Sequence, residues 1–184
     1  RLIVAANRLP VTPTLDVNGE WSLKRSSGGL VSAFLGVRHY SITWVGWVGC
    51  YVPEADRPTV TRLLAECQPF RCCPVYLDEE TAALYYNGFS NNILWPLLHY
   101  IPLSMLDSQS DAAELQWKAY QAANRAFADA VLQLQPTEHD YVWVQDYHLM
   151  LVPKCLRDLS PRLAIGWSPH TPLATPELSR TRPH

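Results

Sequence analysis

The chain has 184 residues, of which 48% are hydrophobic and 17% charged, enough apolar surface for a real core and too much for a disordered segment. The net charge of −2 and a pI near 6.3 argue against a basic nucleic-acid binder. Five cysteines, odd in number and without a C-x-x-C, fit neither a disulfide framework nor a zinc ribbon, and predict buried thiols in a reducing compartment, the cytoplasm. The uncharged run from Thr81 to Leu106 carries amides, prolines and a glycine, so it is not expected to span a membrane.

Leu2–Ala6 is a short apolar run that predicts a buried strand. Leu15–Leu23 alternates about Asn18-Gly19, the pair that favours a two-residue hairpin turn. Ser26-Ser27-Gly28-Gly29 leads into Leu30–Val37, an expected helix. A strand over Ile42–Trp47 and a helix over Pro58–Cys67 follow, the latter opened by proline. Pro74–Leu77 predicts the next strand. Asp78–Tyr86 predicts a helix broken at Asn87-Gly88, with a further helical turn in Asn91–His99. Asp111–Leu134 is the clearest helix. Its stripe of Trp117, Tyr120, Phe127, Val131 and Leu134 has a 3.6-residue period, and Asn124 falls on it. An amide on that stripe needs a partner or costs about 1–3 kcal/mol. Tyr141–Val144, Leu149–Asp158 and Leu163–Trp167 complete the pattern as strand, helix and strand. Alternating strands and helices with uninterrupted apolar strands predict an α/β fold: a Rossmann-like parallel sheet with helices on both faces.

Ligands of such sheets bind beyond the carboxyl ends of the strands. Those ends carry Arg8, then Trp47, then Gln145-Asp146-Tyr147-His148, then His170 between two prolines. Arg8 suits a phosphate or carboxylate, or else an ion pair with a loop carboxylate. Gly28-Gly29 before a helix would let backbone N–H groups approach a phosphate, but neither a dinucleotide fingerprint nor a P-loop is present. Asp146 reads either as a helix cap or as an acceptor of sugar hydroxyls. Asp146, His148 and His170 as metal ligands would lack a further ligand at a usual spacing. The segment Tyr85–Trp95 joins rings with amides and almost no charge, the residue types that bind a sugar's C–H faces and hydroxyls.

Seven collinear segments carry a family resemblance: ANRLPVT at 6–12, SSGGLVSA at 26–33, TWVGW at 43–47, YYNGFSNNILWPLLHY at 85–100, YQAANRAFADAV at 120–131, VWVQDYHLMLVP at 142–153 and IGWSPHTPLATPE at 165–177. Together they resemble the N-terminal half of the trehalose-6-phosphate synthases, retaining glycosyltransferases of family 20 with two Rossmann domains (the GT-B class). The resemblance implies transfer of glucose from UDP-glucose to glucose 6-phosphate, with no cofactor, metal, nucleic acid or membrane involved. Arg8, Trp47, Tyr86, Trp95 and Asp146 would bind the acceptor, with Arg8 and Tyr86 at its phosphate. Gly29 and His170 would meet the donor, and His170 and Asp146 would be the catalytic pair. Residues 1–184 would form one acceptor-binding domain, incomplete at its C-terminus. Its partner would be the second Rossmann domain, which in the family carries the Arg and Lys for the donor diphosphate. A homo-oligomer or a phosphatase partner is compatible with the resemblance. Without the second domain the chain is expected to be inactive alone, and a non-catalytic sugar-phosphate-binding or regulatory subunit is the alternative. The chain departs from the family pattern at Gln145, where His is usual, at Val48, at Leu173-Ala174 and beyond Glu177.

Overall fold

The computed structural model describes residues 1–26, 32, 34, 36–37, 39–99 and 110–171. Strands β1 (Leu2–Arg8), β2 (Val11–Leu15), β3 (Trp21–Arg25) and β4 (Ile42–Trp47) come first. Helix α1 (Arg57–Ala65) and β5 (Arg71–Val75) follow. Then comes one continuous helical rod: α2 (Glu79–Ala82), a π-helical segment (Ala83–Leu94) and α3 (Trp95–Leu98). Helix α4 (Ser110–Gln133), β6 (Tyr141–Gln145), a 3-10 turn (Tyr147–Leu149), α5 (Val152–Leu159) and β7 (Ala164–Ser168) complete the described chain.

Five strands form a sheet in the order β5-β4-β1-β6-β7, and every pairing is parallel. From β1 the chain builds outward through β4 to β5, then returns to β1's other side for β6 and β7. The order therefore reverses between β1 and β6, the position at which open α/β sheets bind ligands. Alternation along β1 sorts the two cores. Ile3 and Ala5 pack with Val142 and Val144 against Tyr120, Phe127 and Val131 of α4 and Leu156 of α5. Leu2, Val4 and Ala6 pack with Trp44 against Val60 and Leu64 of α1 and against Phe34. This is the α/β, Rossmann-like sheet that the strand–helix alternation predicts. Among the described residues the outer flank of β6 is less covered, and Tyr141 and Trp143 stay partly exposed there.

Helix α4 forms where its stripe predicts. Tyr120, Ala123, Phe127 and Val131 are buried, while Glu114–Lys118 and Arg125–Asp129 pair at i,i+4 on its outer face. Trp117 sits at the margin of the stripe, stacked on Tyr120. Two local expectations fail. The hairpin turn is not a two-residue one: Leu15 pairs with Trp21, and Asp16–Glu20 forms a five-residue loop. The Asp16 carboxylate accepts from the backbone N–H groups of Asn18 and Glu20, at 2.9 and 2.8 Å, and so organises a wider turn with Gly19 at φ 80°. The helix also does not break at Asn87-Gly88. It widens to the π-form and runs through, because α4 lies against it: a Cβ on Gly88 would fall 2.8 Å from Gln116 Cγ. Close packing outweighs the helix penalty of glycine, about 1 kcal/mol. The expected helix over Leu30–Val37 lies largely outside the described residues.

Candidate active site

The carboxyl end of β1 is bulged. Its register with β4 shifts between Ala5 and Arg8. Gly46 makes the bulge possible: a Cβ there would meet Leu9 N at 2.7 Å and Arg8 C at 2.8 Å. Trp44 Nε1 donates to Arg8 O at 3.1 Å and fixes the bulged backbone. Bulges next to sites re-aim side chains, and this one aims Arg8. The guanidinium lies over the Trp47 ring, 4.8 Å from its centroid. It also rests against Gly49, whose φ of 79° and lack of a side chain leave room; any Cβ there would collide with the guanidinium. Among the described residues Arg8 has no ion-pair partner, so a bond to a loop carboxylate does not account for it.

From Trp47 a line of rings leads across the sheet edge. Trp47 stands 6.3 Å from Tyr86, and Tyr86 stacks on His148 at 5.6 Å with planes 14° apart. His148 stacks on Tyr147 at 4.0 Å, and Tyr147 stands 5.8 Å from Trp95. Trp47 and Tyr86 line a recess of about 270 Å³ together with Cys50, Glu79 and Asn87. Trp47 Nε1 is buried without a partner among the described residues. Trp95 is 43% exposed although it is large and apolar, and the His99 ring lies against it with centroids 3.7 Å apart. A larger cavity of about 680 Å³ opens on the flank of β1, β6 and β7, where Arg157 is the one charged residue among the described lining residues. It does not contain the residues gathered at the strand ends.

Asp146 follows β6 with φ 71° and ψ 173°, a region almost reserved for glycine that costs an aspartate about 1–3 kcal/mol. Its surroundings enforce the conformation. Its N–H donates to Ser168 O at 2.8 Å, and its O accepts from Trp167 Nε1 at 3.0 Å. Oδ1 accepts from Tyr147 N at 2.8 Å and His170 N at 3.4 Å. Oδ2 lies 3.8 Å from His148 Nδ1, beyond hydrogen-bond length, and so keeps its acceptor capacity. The cap reading holds for the short 3-10 turn, but a cap alone does not require the strained backbone.

His148 is buried and neither ring nitrogen has a partner among the described residues. Burial, opposed by the Asp146 charge, pushes the ring down to about 4, so it is neutral at pH 7. Burial pushes the Tyr147 phenol up to about 12, and its hydroxyl donates to Asn91 Oδ1 at 3.1 Å. Helix α4 grips this turn from below. Tyr120 donates its hydroxyl to Tyr147 O at 2.7 Å and accepts from Met150 N at 3.1 Å. Asn124, fully buried, donates to Tyr120 O and His148 O at 2.9 and 3.1 Å and accepts from Leu151 N at 3.1 Å. The partner that the sequence demanded for this amide is the turn that carries Asp146 and His148.

His170 is exposed, and its Nε2 lies 2.9 Å from Gln145 Oε1. With that nitrogen engaged, the metal-ligand reading of Asp146, His148 and His170 has no common point, and no group of three such side chains stands together among the described residues. Arg8, Trp47, Tyr86, Asp146 and His170 thus lie along one rim, with Trp95 beside Tyr147. Gly29 lies outside the described residues. Sequence reading set Tyr147 and His148 in the strand-end run, with His148 only as a metal ligand, and Asn91 in the ring-and-amide segment, but gave none of them a place in the substrate site, and gave Gly49 no role. For Gly49 the available signal was a Gly-Trp-Val-Gly run across the carboxyl end of a strand. The rim combines a cation unpaired among the described residues, several rings and a carboxylate on a strained backbone, which suits a small polyhydroxylated ligand with an anionic group.

The fold and rim define a Rossmann-like α/β sheet with a candidate ligand site at its topological switch point. The model of glycosyltransferase family 20 matches residues 1–184, and the chain belongs to that family. It is 46% identical over 186 residues to the Arabidopsis thaliana alpha,alpha-trehalose-phosphate synthase [UDP-forming] 1, covering 100% of this chain and 19% of that protein. The E. coli trehalose-6-phosphate structure bound with UDP-2-fluoro glucose superposes with a TM-score of 0.72 at 27% identity, over 99% of this chain and 35% of that one. A Burkholderia xenovorans alpha,alpha-trehalose-phosphate synthase (UDP-forming) in complex with glucose-6-phosphate gives 0.68 at 25% identity, over 97% and 35%. The chain spans between 19% and 39% of the lengths of the curated relatives it matches.

Proposed function

We propose that these residues form the acceptor side of a retaining glycosyltransferase that moves glucose from UDP-glucose to glucose 6-phosphate, yielding trehalose 6-phosphate and UDP. The observation that carries this reading is Arg8: a guanidinium without an ion-pair partner among the described residues, held by a bulge, Trp47 and Gly49 beside Tyr86. Arg8 and Tyr86 take the acceptor phosphate. Trp47 and Trp95 offer ring faces to the sugar, and Asp146 Oδ2 accepts its hydroxyls. His170 stands at the transferred glucose, and Gly29 offers its N–H to the donor diphosphate. The proton of the attacking hydroxyl passes to the departing diphosphate on the same face, so no protein nucleophile is needed.

Transfer belongs to a protein of the relatives' length, with a second Rossmann domain opposite this rim as partner. We assign the protein to the cytoplasm, since Cys50, Cys67, Cys72, Cys73 and Cys155 are all free thiols. No helix of the described residues is long and apolar enough to cross a membrane.

The test is steady-state UDP release by a protein of family length that carries these 184 residues. Arg8→Ala is expected to raise KM for glucose 6-phosphate about 10- to 100-fold, the equivalent of a charge-assisted hydrogen bond, and to leave KM for UDP-glucose within about twofold. Equal loss for both substrates would assign Arg8 to folding and defeat the reading. The 184-residue chain alone is expected to release no UDP from UDP-glucose.

A further inference from the structure

We propose that Gln145 is the positioning residue for His170: its buried amide holds ring nitrogen Nε2, so that Nδ1 is the nitrogen presented to a bound sugar. The inference rests on the reading of His170 as a contact to the transferred glucose, and it adds how that ring is oriented and which tautomer it keeps.

Gln145 is the last residue of β6 and is 2% exposed, although it is polar and lies at the edge of an apolar strand. Its backbone partner on β7 is Ser168, two residues before His170. Two backbone links place the loop itself: Asp146 N to Ser168 O at 2.8 Å, and His170 N to Asp146 Oδ1 at 3.4 Å. Neither constrains the imidazole. An exposed ring on such a loop would otherwise sample several rotamers and exchange its proton between nitrogens. The 2.9 Å contact from Nε2 to Gln145 Oε1 is the one hydrogen bond that the described residues offer the ring.

An amide is suited to this task. A carbonyl oxygen only accepts, so the ring must carry its proton on Nε2 and keep its lone pair on Nδ1. The amide is neutral and does not favour imidazolium, as a carboxylate at the same place would. Gln145 Nε2 has no partner among the described residues. An unpaired buried donor is destabilising, so fold stability does not explain a glutamine here, and an apolar residue would end β6 more favourably. What the side chain does accomplish is the single bond to His170.

The experiment uses the 184-residue chain, labelled with nitrogen-15, and reads the ring nitrogens of His170 by long-range proton–nitrogen correlation at neutral pH. The wild-type chain is expected to show one tautomer, protonated at Nε2 and slow to exchange that proton. Gln145→Leu is expected to lose the protected proton and give averaged ring signals. Gln145→Glu keeps an oxygen acceptor in place and is expected to retain a protected proton on Nε2, without holding the ring to one tautomer as the neutral amide does. The Trp44 indole N–H, bonded to Arg8 O on the other side of β1, reports whether each variant keeps its fold. A wild-type ring that exchanges tautomers or is protonated at Nδ1 overturns the proposal, whatever the variants do. So does a Gln145→Leu chain with an intact Trp44 signal and an unchanged His170 ring. No substrate is present in these spectra, so their outcome is separate from that of the UDP-release assay.

Discussion

Asn124 is the residue whose loss should be felt most widely. Asn124→Leu nearly conserves volume, so the cavity term is small. What it removes is hydrogen bonding. Leu151 N loses its acceptor and His148 O loses its donor, while Tyr120 O loses only an additional partner. Two backbone groups are left unpaired at a buried turn, at about 1–3 kcal/mol each, for a total of about 2–6 kcal/mol. Domains are stable by only about 5–15 kcal/mol. With a urea dependence of about 2 kcal/mol/M, the unfolding midpoint should fall by about 1–3 M. Equilibrium urea denaturation followed by tryptophan fluorescence measures it. Asn124→Asp keeps the acceptor for Leu151 N but turns an oxygen toward His148 O, so it should be destabilised as well. A midpoint shift below about 0.2 M for Asn124→Leu would refute the reasoning, since an amide that clamps the turn cannot be silent.

Two further changes test the rim. Gly49→Ala should strain a backbone held at φ 79° and push the Arg8 guanidinium off Trp47; calorimetric titration should show glucose 6-phosphate affinity falling about tenfold or more, with affinity for unphosphorylated glucose unchanged. His148, pushed down to about 4 by burial, ties stability to pH. Its folded-state value lies below the ordinary 6.5, so the unfolded chain binds the extra proton between these values. Its contribution is therefore complete above about pH 6.5 and is lost as pH falls toward 4. His148→Phe keeps a ring between Tyr86 and Tyr147 and should flatten that part of the profile of urea midpoint against pH; a variant as steep as the wild type would count against it.

The sheet and its strand ends were legible because the physics is short-range. Apolar runs such as Leu2–Ala6 and Ile42–Trp47 are buried on both faces, and α4 carries its period over six turns. The loop residues that end each strand followed from the topology of such sheets. What sequence reading missed depends on neighbours far along the chain. Asn18-Gly19 favours a tight turn, yet Asp16 competes with its own hydrogen bonds and wins. Asn87-Gly88 looks like a helix stop until Gln116 packs against the glycine. His148 is one histidine among six, and its charge state is set by burial in the folded chain, where it lies between Tyr86 and Tyr147. The ε-region backbone of Asp146 is likewise invisible in sequence, because β7 and Trp167 impose it from about 20 residues away.

The most direct measurement of the central claim compares glucose 6-phosphate with glucose as ligands of the 184-residue chain, by calorimetry and by perturbation of the indole N–H signals. The account predicts that the phosphate ester binds about 10- to 100-fold more tightly, that the Trp47 and Trp95 signals move, and that Arg8→Ala erases the difference. Equal affinity for both sugars, or perturbation of Trp143 on the sheet flank while Trp47 and Trp95 stay still, would contradict it.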